Sequence, residues 1–200
     1  RSIVLLKNEG VLPLDRKRIS KLAVFGASAN ELPVGKNYSG PFQRLWEAED
    51  AKTPLQYLRE YLDGYAEVIF AEDEKIEEIA SVCDAAIYFT TVVEGEGMDR
   101  SDIRLPAYTK KMQEDESALI VGKFEIEVKT DQEQSIRRMS AANANSIVML
   151  LNGAPVDMSA WVDGCGAALE AWYPGEQGAQ AVTEILFGDV NPSAKLPITF

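Results

Sequence analysis

Histidine is missing from all 200 residues, and cysteine occurs twice, at Cys83 and Cys165. Without imidazole the chain can build neither a Ser-His-Asp nor a Cys-His nucleophilic arrangement, nor a zinc site that uses imidazole. Acid–base chemistry therefore falls to carboxylates. The cysteines form neither a CxxC pair nor a disulfide framework, and both are expected to be small buried apolar residues. Positive charge is scarce: 20 basic side chains face 32 acidic ones, a formal charge of -12. Such a surface repels phosphate backbones, so nucleic acid is a poor partner, and an anionic membrane face is equally unfavourable. No apolar run reaches the roughly 18 residues that a membrane-spanning helix needs. Arg1 leads directly into the apolar run Ser2-Ile-Val-Leu-Leu-Lys7, and Leu196-Pro-Ile-Thr-Phe200 ends in another. With neither an initiator methionine nor a signal peptide at its start, the chain is expected to be cut from a longer polypeptide.

What remains suits one globular domain with a sizeable core, 46% of its residues being hydrophobic. Short runs rich in β-branched and aromatic residues alternate with helical periodicity, the order of a mostly parallel sheet with helices on both faces, an α/β three-layer sandwich. Strands are expected at 22–26, 67–71, 85–93, 146–151 and 167–172. The run Ala85-Ala-Ile-Tyr-Phe-Thr-Thr-Val-Val93 is apolar enough to be covered on both sides. Helices are expected over 54–62, 73–83, 132–142 and 178–187. The first starts at a Thr53-Pro54 cap and stops at Asp63-Gly64, and the second presents Ile76, Ile79 and Ala80 on one face.

Residues 107–131 depart from this alternation. A polar stretch, Lys110 to Glu116, precedes Ala118 to Lys129, in which Phe124, Ile126 and Val128 alternate with charged residues. Val121-Gly-Lys123 is a place for a hairpin bend. The excursion is either an edge ribbon or an arm that covers a site or grips a second subunit.

In an open α/β sheet, ligands gather at loops leaving the carboxyl ends of strands. Three such loops stand out: Gly26 to Asn30 leading into Gly35-Lys-Asn-Tyr-Ser-Gly-Pro41, Glu94-Gly-Glu-Gly-Met-Asp-Arg100, and Asn152-Gly-Ala-Pro155. The second concentrates the acidic side chains Glu94, Glu96, Asp99 and Asp102 between glycines. A carboxyl brought near another carboxylate, or desolvated, has its pKa raised toward general-acid duty. A solvated turn would carry the same composition. Arg100 stands where a dinucleotide fingerprint needs its third glycine, and the acidic spacing does not match a calcium loop.

The chain resembles, nearly end to end, the C-terminal α/β sandwich domain of family 3 glycoside hydrolases, the β-glucosidase and β-xylosidase group. The resemblance rests on Ser2 to Leu14, Thr53-Pro-Leu55, Glu94 to Asp102 with Leu105-Pro106, Ala142-Asn-Ala-Asn145, Asn152 to Val156, Ala171-Trp-Tyr-Pro-Gly-Glu-Gln-Gly178 and Phe187 to Pro197. It implies a retaining β-glycosidase in which an aspartate on a preceding TIM-like barrel is the nucleophile and a glutamate of this domain is the general acid/base. By motif that glutamate is Glu96, with Glu94 as the other candidate, and β-glucosidase activity is expected ahead of β-xylosidase activity. A non-catalytic carbohydrate-binding domain is the reading from another class. Asp99 and Arg100 are expected to brace the loop as an ion pair, and Ser39 to bond a sugar hydroxyl or merely to form a turn. Trp46 is a stacking candidate, whereas Trp161 and Trp172 are assigned to the core. The partners implied are an oligosaccharide or β-glycoside, the barrel, and a second copy of the chain if 107–131 forms a dimer contact. No metal or organic cofactor is implied, because both steps of the chemistry are done by carboxyl groups. Relatives pass from the Leu-Pro pair to a glutamine and helix within a few residues, whereas here Gln132 follows Pro106 only after the whole excursion. That placement motivates a ribbon near the cleft mouth.

Overall fold

The computed structural model describes residues 2–31, 51–92, 100, 102–106, 108–112 and 124–200, with backbone alone for 108–112 and 124–129. In chain order the elements are β1 (Val4–Asn8), β2 (Lys21–Phe25), α1 (Pro54–Tyr61), β3 (Glu67–Phe70), α2 (Ile76–Ala80), β4 (Ala85–Phe89), β5 (Tyr108–Met112), β6 (Phe124–Thr130), α3 (Gln132–Ala142), β7 (Ser146–Leu150), β8 (Ala167–Glu170) and α4 (Gly178–Leu186). Six strands form one sheet in the order β1-β8-β7-β4-β2-β3, and β5 and β6 form a separate two-stranded ribbon. Every neighbour in the large sheet is parallel except β1, which runs antiparallel to β8.

The period-2 geometry of a strand sorts these residues into two cores. Leu22, Val24, Ile87, Phe89, Ile147, Met149 and Leu169 point to the side covered by α1 and α4, where Leu58, Val182 and Leu186 close over them. Ala23, Phe25, Ala86, Tyr88, Val148, Leu150 and Ala168 point to the other side, against Ile76 and Ala80 of α2 and Ile136 and Met139 of α3. All five residues of β4 and of β7 are buried, as strands covered on both faces require. Tyr88 carries a hydroxyl into the second core, and it donates to Asp73 Oδ2 at 2.7 Å.

Local chemistry sets the helix boundaries. Thr53 caps α1 reciprocally: its Oγ1 accepts from the Gln56 N–H at 3.2 Å while Gln56 Oε1 accepts from the Thr53 N–H at 2.9 Å, with Pro54 in the first turn. Asp131 caps α3 through the Gln134 N–H at 3.0 Å. The helix expected over 73–83 is shorter: 73–75 is a 3-10 turn and α2 ends at Ala80. Asn143, just past α3, takes over there, its Nδ2 donating to the carbonyls of Ala80 and Cys83, each at 2.8 Å. Ile76 and Ala80 are fully buried, and Ile79 lies half-buried beside them.

Cys165 is buried and Cys83 half-buried, and desolvation pushes both thiols up. Trp161 belongs to the second core. Trp172 is half-buried and meets the edge of Phe200 with ring centroids 5.7 Å apart. Among the described residues no helix is long and apolar enough to cross a membrane, and no group of three or more Cys, Asp and Glu side chains could hold a metal ion.

The α2–α3 layer carries an acid-labile link. Arg138 Nε and Nη2 donate to Glu77 Oε1 and Oε2, each at 2.5 Å, and hold the carboxyl down at about 2 against an ordinary 4.5. A depressed folded-state pKa contributes stability that is complete above the unfolded value and disappears as pH falls through the folded one. The melting temperature of wild type should therefore drop between about pH 4.5 and 2 by more than that of Glu77→Gln. Since the pair is exposed, the excess is a few degrees at most, and parallel slopes in thermal melts would disprove it.

Candidate active site

The connections of the sheet reverse direction between β2 and β4. From β2 the chain moves outward to β3, then returns to β4 on the other side of β2, and from β4 it moves away to β7 and β8. Such a reversal, beside the carboxyl ends of two adjacent strands, is where ligands bind in folds of this type. The β2 loop leads to Ser39 and Trp46, and the β4 loop carries Glu94, Glu96 and Asp99. All five residues lie outside the described residues. What is described is the frame on which the two loops stand.

Their roots touch. Ser28 Oγ and Thr91 Oγ1 share a hydrogen bond of 2.6 Å between the start of the β2 loop and the start of the β4 loop. The β2 loop turns at Gly26, whose φ is +86° and whose missing Cβ would sit 2.0 Å from the carbonyl oxygen of Phe89 at the end of β4. Only glycine allows so tight a crossing.

The β4 loop is fixed at both feet. On entry, the Thr90 N–H donates to the Met149 carbonyl at 3.0 Å, extending the β4–β7 ladder by one residue. On exit, the Ile103 carbonyl accepts from the Asp157 N–H at 2.8 Å, and Asp102 Oδ1 accepts from the Arg104 N–H at 2.8 Å in a tight turn. Val92 and Leu105 are 7% and 5% exposed and sit in the same core, so the loop enters and leaves the protein through one apolar patch. Arg100 Nη2 donates to the Pro155 carbonyl. That contact reaches the loop after β7, and Asp99, expected as the ion-pair partner of Arg100, lies outside the described residues.

Two further residues escaped the sequence reading. Gln132, expected only as a helix start, is 2% exposed, and its side chain reaches back under the β4 loop. Its Oε1 accepts from the Thr91 N–H at 2.8 Å, and its Nε2 donates to the carbonyls of Thr91 at 2.8 Å and Pro106 at 2.6 Å. Glu170 ends β8 fully buried. Its Oε2 accepts from Asn152 Nδ2 at 3.0 Å and its Oε1 from the Trp172 N–H at 2.6 Å. Asn152 Nδ2 also donates to the Ala154 carbonyl at 2.7 Å, so one carboxyl organises both the Asn152–Pro155 turn that receives Arg100 and the positive-φ bend at Trp172. An acid inside the otherwise apolar run Ala167-Ala-Leu-Glu-Ala171 was the available signal, since carboxylates are rarely buried unless bonded.

The ribbon leaves the domain at the same place. β6 pairs with Tyr108–Met112, with Met112 opposite Phe124. The bend expected at 121–123 lies outside the described residues; the partner of β6, 108–112, overlaps the start of the polar stretch that begins at Lys110.

Comparison with known proteins agrees with this architecture. The glycosyl hydrolase family 3 C-terminal domain matches residues 3–200. Thermostable beta-glucosidase B of Acetivibrio thermocellus is 32% identical over 215 residues, which cover 100% of this chain and 25% of that protein. Probable beta-D-xylosidase 6 of Arabidopsis thaliana is 29% identical over 214 residues, covering 100% of this chain and 24% of that one. The chain thus spans about a quarter of the length of the relatives it matches. Among solved structures, the family 3 beta-glucosidase of Bifidobacterium adolescentis superposes with a TM-score of 0.70 at 25% identity, over 97% of this chain and 26% of that one. The full-length match, the mostly parallel six-stranded sheet and its two helical layers lead to one conclusion: this chain belongs to the glycosyl hydrolase family 3 C-terminal domain family.

Proposed function

We propose that the chain is the acid/base-bearing domain of a retaining, exo-acting β-glycosidase that removes terminal β-linked sugars, with glucose as the preferred sugar. The observation that carries this reading is the position of the Glu96 loop. It springs from the end of β4 at the switch point of the sheet, with both feet fixed by buried contacts. Relatives named as beta-glucosidases support the sugar assignment. Relatives named as β-xylosidases, including an exo-beta-xylosidase 27% identical over 94% of this chain, favour xylose as the second reading.

In this account Glu96 protonates the departing glycosidic oxygen and then takes a proton from the water that releases the sugar. A carboxylate of a barrel domain in the rest of the polypeptide, its carboxyl group about 5–5.5 Å from that of Glu96 as retention requires, attacks the anomeric carbon. Closing the cleft over sugar desolvates Glu96 and keeps it protonated for the first step. Asp99 and Arg100 brace the loop, Arg100 through Pro155. Ser39, on the facing loop, bonds a sugar hydroxyl. The ribbon, rooted between Pro106 and Gln132 beside the loop, overhangs the cleft mouth or meets a second copy of the chain. The chemistry asks for no metal or organic cofactor.

Proton NMR of aryl β-glucoside hydrolysis by the complete enzyme tests the reading. The β-anomer of the free sugar should appear first and the α-anomer later, by mutarotation. Initial release of the α-anomer would overturn it.

A further inference from the structure

We propose that Gln132 is the positioning residue of the acid/base loop: its buried amide ties the two ends of that loop together and thereby fixes where Glu96 stands. The inference rests on the assignment of Glu96 above. At Thr91 the chain has left its sheet partners, and the Gln132 amide replaces them, bonding both the N–H and the carbonyl of that residue as a neighbouring strand would. The second hydrogen of the same Nε2 takes the Pro106 carbonyl at the far end of the loop, 26 residues upstream of Gln132. Both donors of the amide are used, and a group 2% exposed has no water to fall back on. Of the residues similar in size, methionine offers no bond to any of these three groups, and glutamate turns an acceptor toward two carbonyls.

The same contact explains how the ribbon is accommodated. Pro106 and Gln132 are held within one hydrogen bond of each other, so the 107–131 excursion departs and returns at a single point. The two ends of the loop are therefore closed across the base of the ribbon by a side chain.

A role in positioning separates from a merely structural one through the leaving group. An acid moved out of place slows departure of a basic alcohol but hardly affects a phenol that leaves unprotonated, whereas partial unfolding slows both alike. The test compares Gln132→Met with Glu96→Ala in the complete enzyme, using phenyl and 2,4-dinitrophenyl β-glucosides, or the xylosides if wild type prefers them, alongside thermal melts. For Gln132→Met, kcat/KM on the phenyl substrate should fall about 10- to 100-fold, a displacement of order 1 Å being enough, while the dinitrophenyl substrate changes less than about threefold. If both substrates lose the same factor, or neither loses any, the positioning role is overturned. Where Glu96→Ala discriminates between the substrates and Gln132→Met does not, only the clamp falls; where Glu96→Ala itself fails to discriminate, the Glu96 assignment falls with it. Should Gln132→Met not accumulate as folded protein, Gln132→Asn serves: its amide is one methylene too short to span Thr91 and Pro106, and the same split between substrates is expected.

Discussion

Replacing Glu96 with alanine in the complete enzyme should lower kcat/KM for phenyl and alkyl β-glycosides by about 10² to 10⁴, the usual contribution of a positioned general acid. In barrier terms that is about 2.7 to 5.4 kcal/mol, at 1.36 kcal/mol per tenfold. The same substitution should leave kcat/KM for a dinitrophenyl glycoside within about tenfold of wild type, since that phenolate departs without a proton. Its kcat will still fall, because the base that activates water in the second step has gone, and glycosyl-enzyme will accumulate in a burst. The split follows from the chemistry of one residue serving both steps. Glu94→Ala, by contrast, should slow both substrates similarly or not at all. A uniform loss for Glu96→Ala across leaving groups would remove it from the reaction.

The second large effect concerns the fold beneath the site. Gly26→Ala should destabilise the domain by more than about 3 kcal/mol, combining the strain of a left-handed backbone with a steric collision. The new methyl would lie 2.0 Å from the Phe89 oxygen and 3.0 Å from its carbonyl carbon. These atoms belong to β4, which is held in the sheet by β2 and β7 and cannot retreat. At roughly 2–4 °C per kcal/mol for a domain of this size, the calorimetric transition should fall by about 10 °C. Gly10 supplies the control, since its φ is +85° but nothing lies within 4 Å of the missing Cβ. Gly10→Ala carries strain without collision and should cost about 1 kcal/mol. Equal melting temperatures for the two variants would mean that β4 and the β2 loop are not packed as described.

How far these features could be read from sequence depended on whether their cause was local. α1 was legible from its Thr53-Pro54 start, and the range expected for the third helix, 132–142, is that of α3. β1 was not, because a register shift between Leu5 and Lys7 breaks the alternation that marks a strand, leaving only an apolar run. α2 was overestimated because the residue that meets its last carbonyls, Asn143, lies a helix and three strands further along the chain. The site divides in the same way. Acidic residues between glycines mark the β4 loop, but composition alone does not separate a catalytic loop from a solvated turn, and the choice of Glu96 came from family resemblance. Gln132 and Glu170 act by joining segments distant in sequence, Thr91 with Pro106 and Asn152 with Trp172, and no pattern within one segment announces such a junction.

Azide offered to Glu96→Ala turning over a dinitrophenyl glycoside is the decisive probe of the acid/base role. With the acid/base removed and the nucleophile intact, the small anion enters the space vacated by the carboxyl and attacks the glycosyl-enzyme from the face that water uses. If Glu96 holds that role, kcat rises with azide concentration and the product is the β-glycosyl azide. Formation of the α-glycosyl azide, or no adduct and no rise in rate, would contradict it.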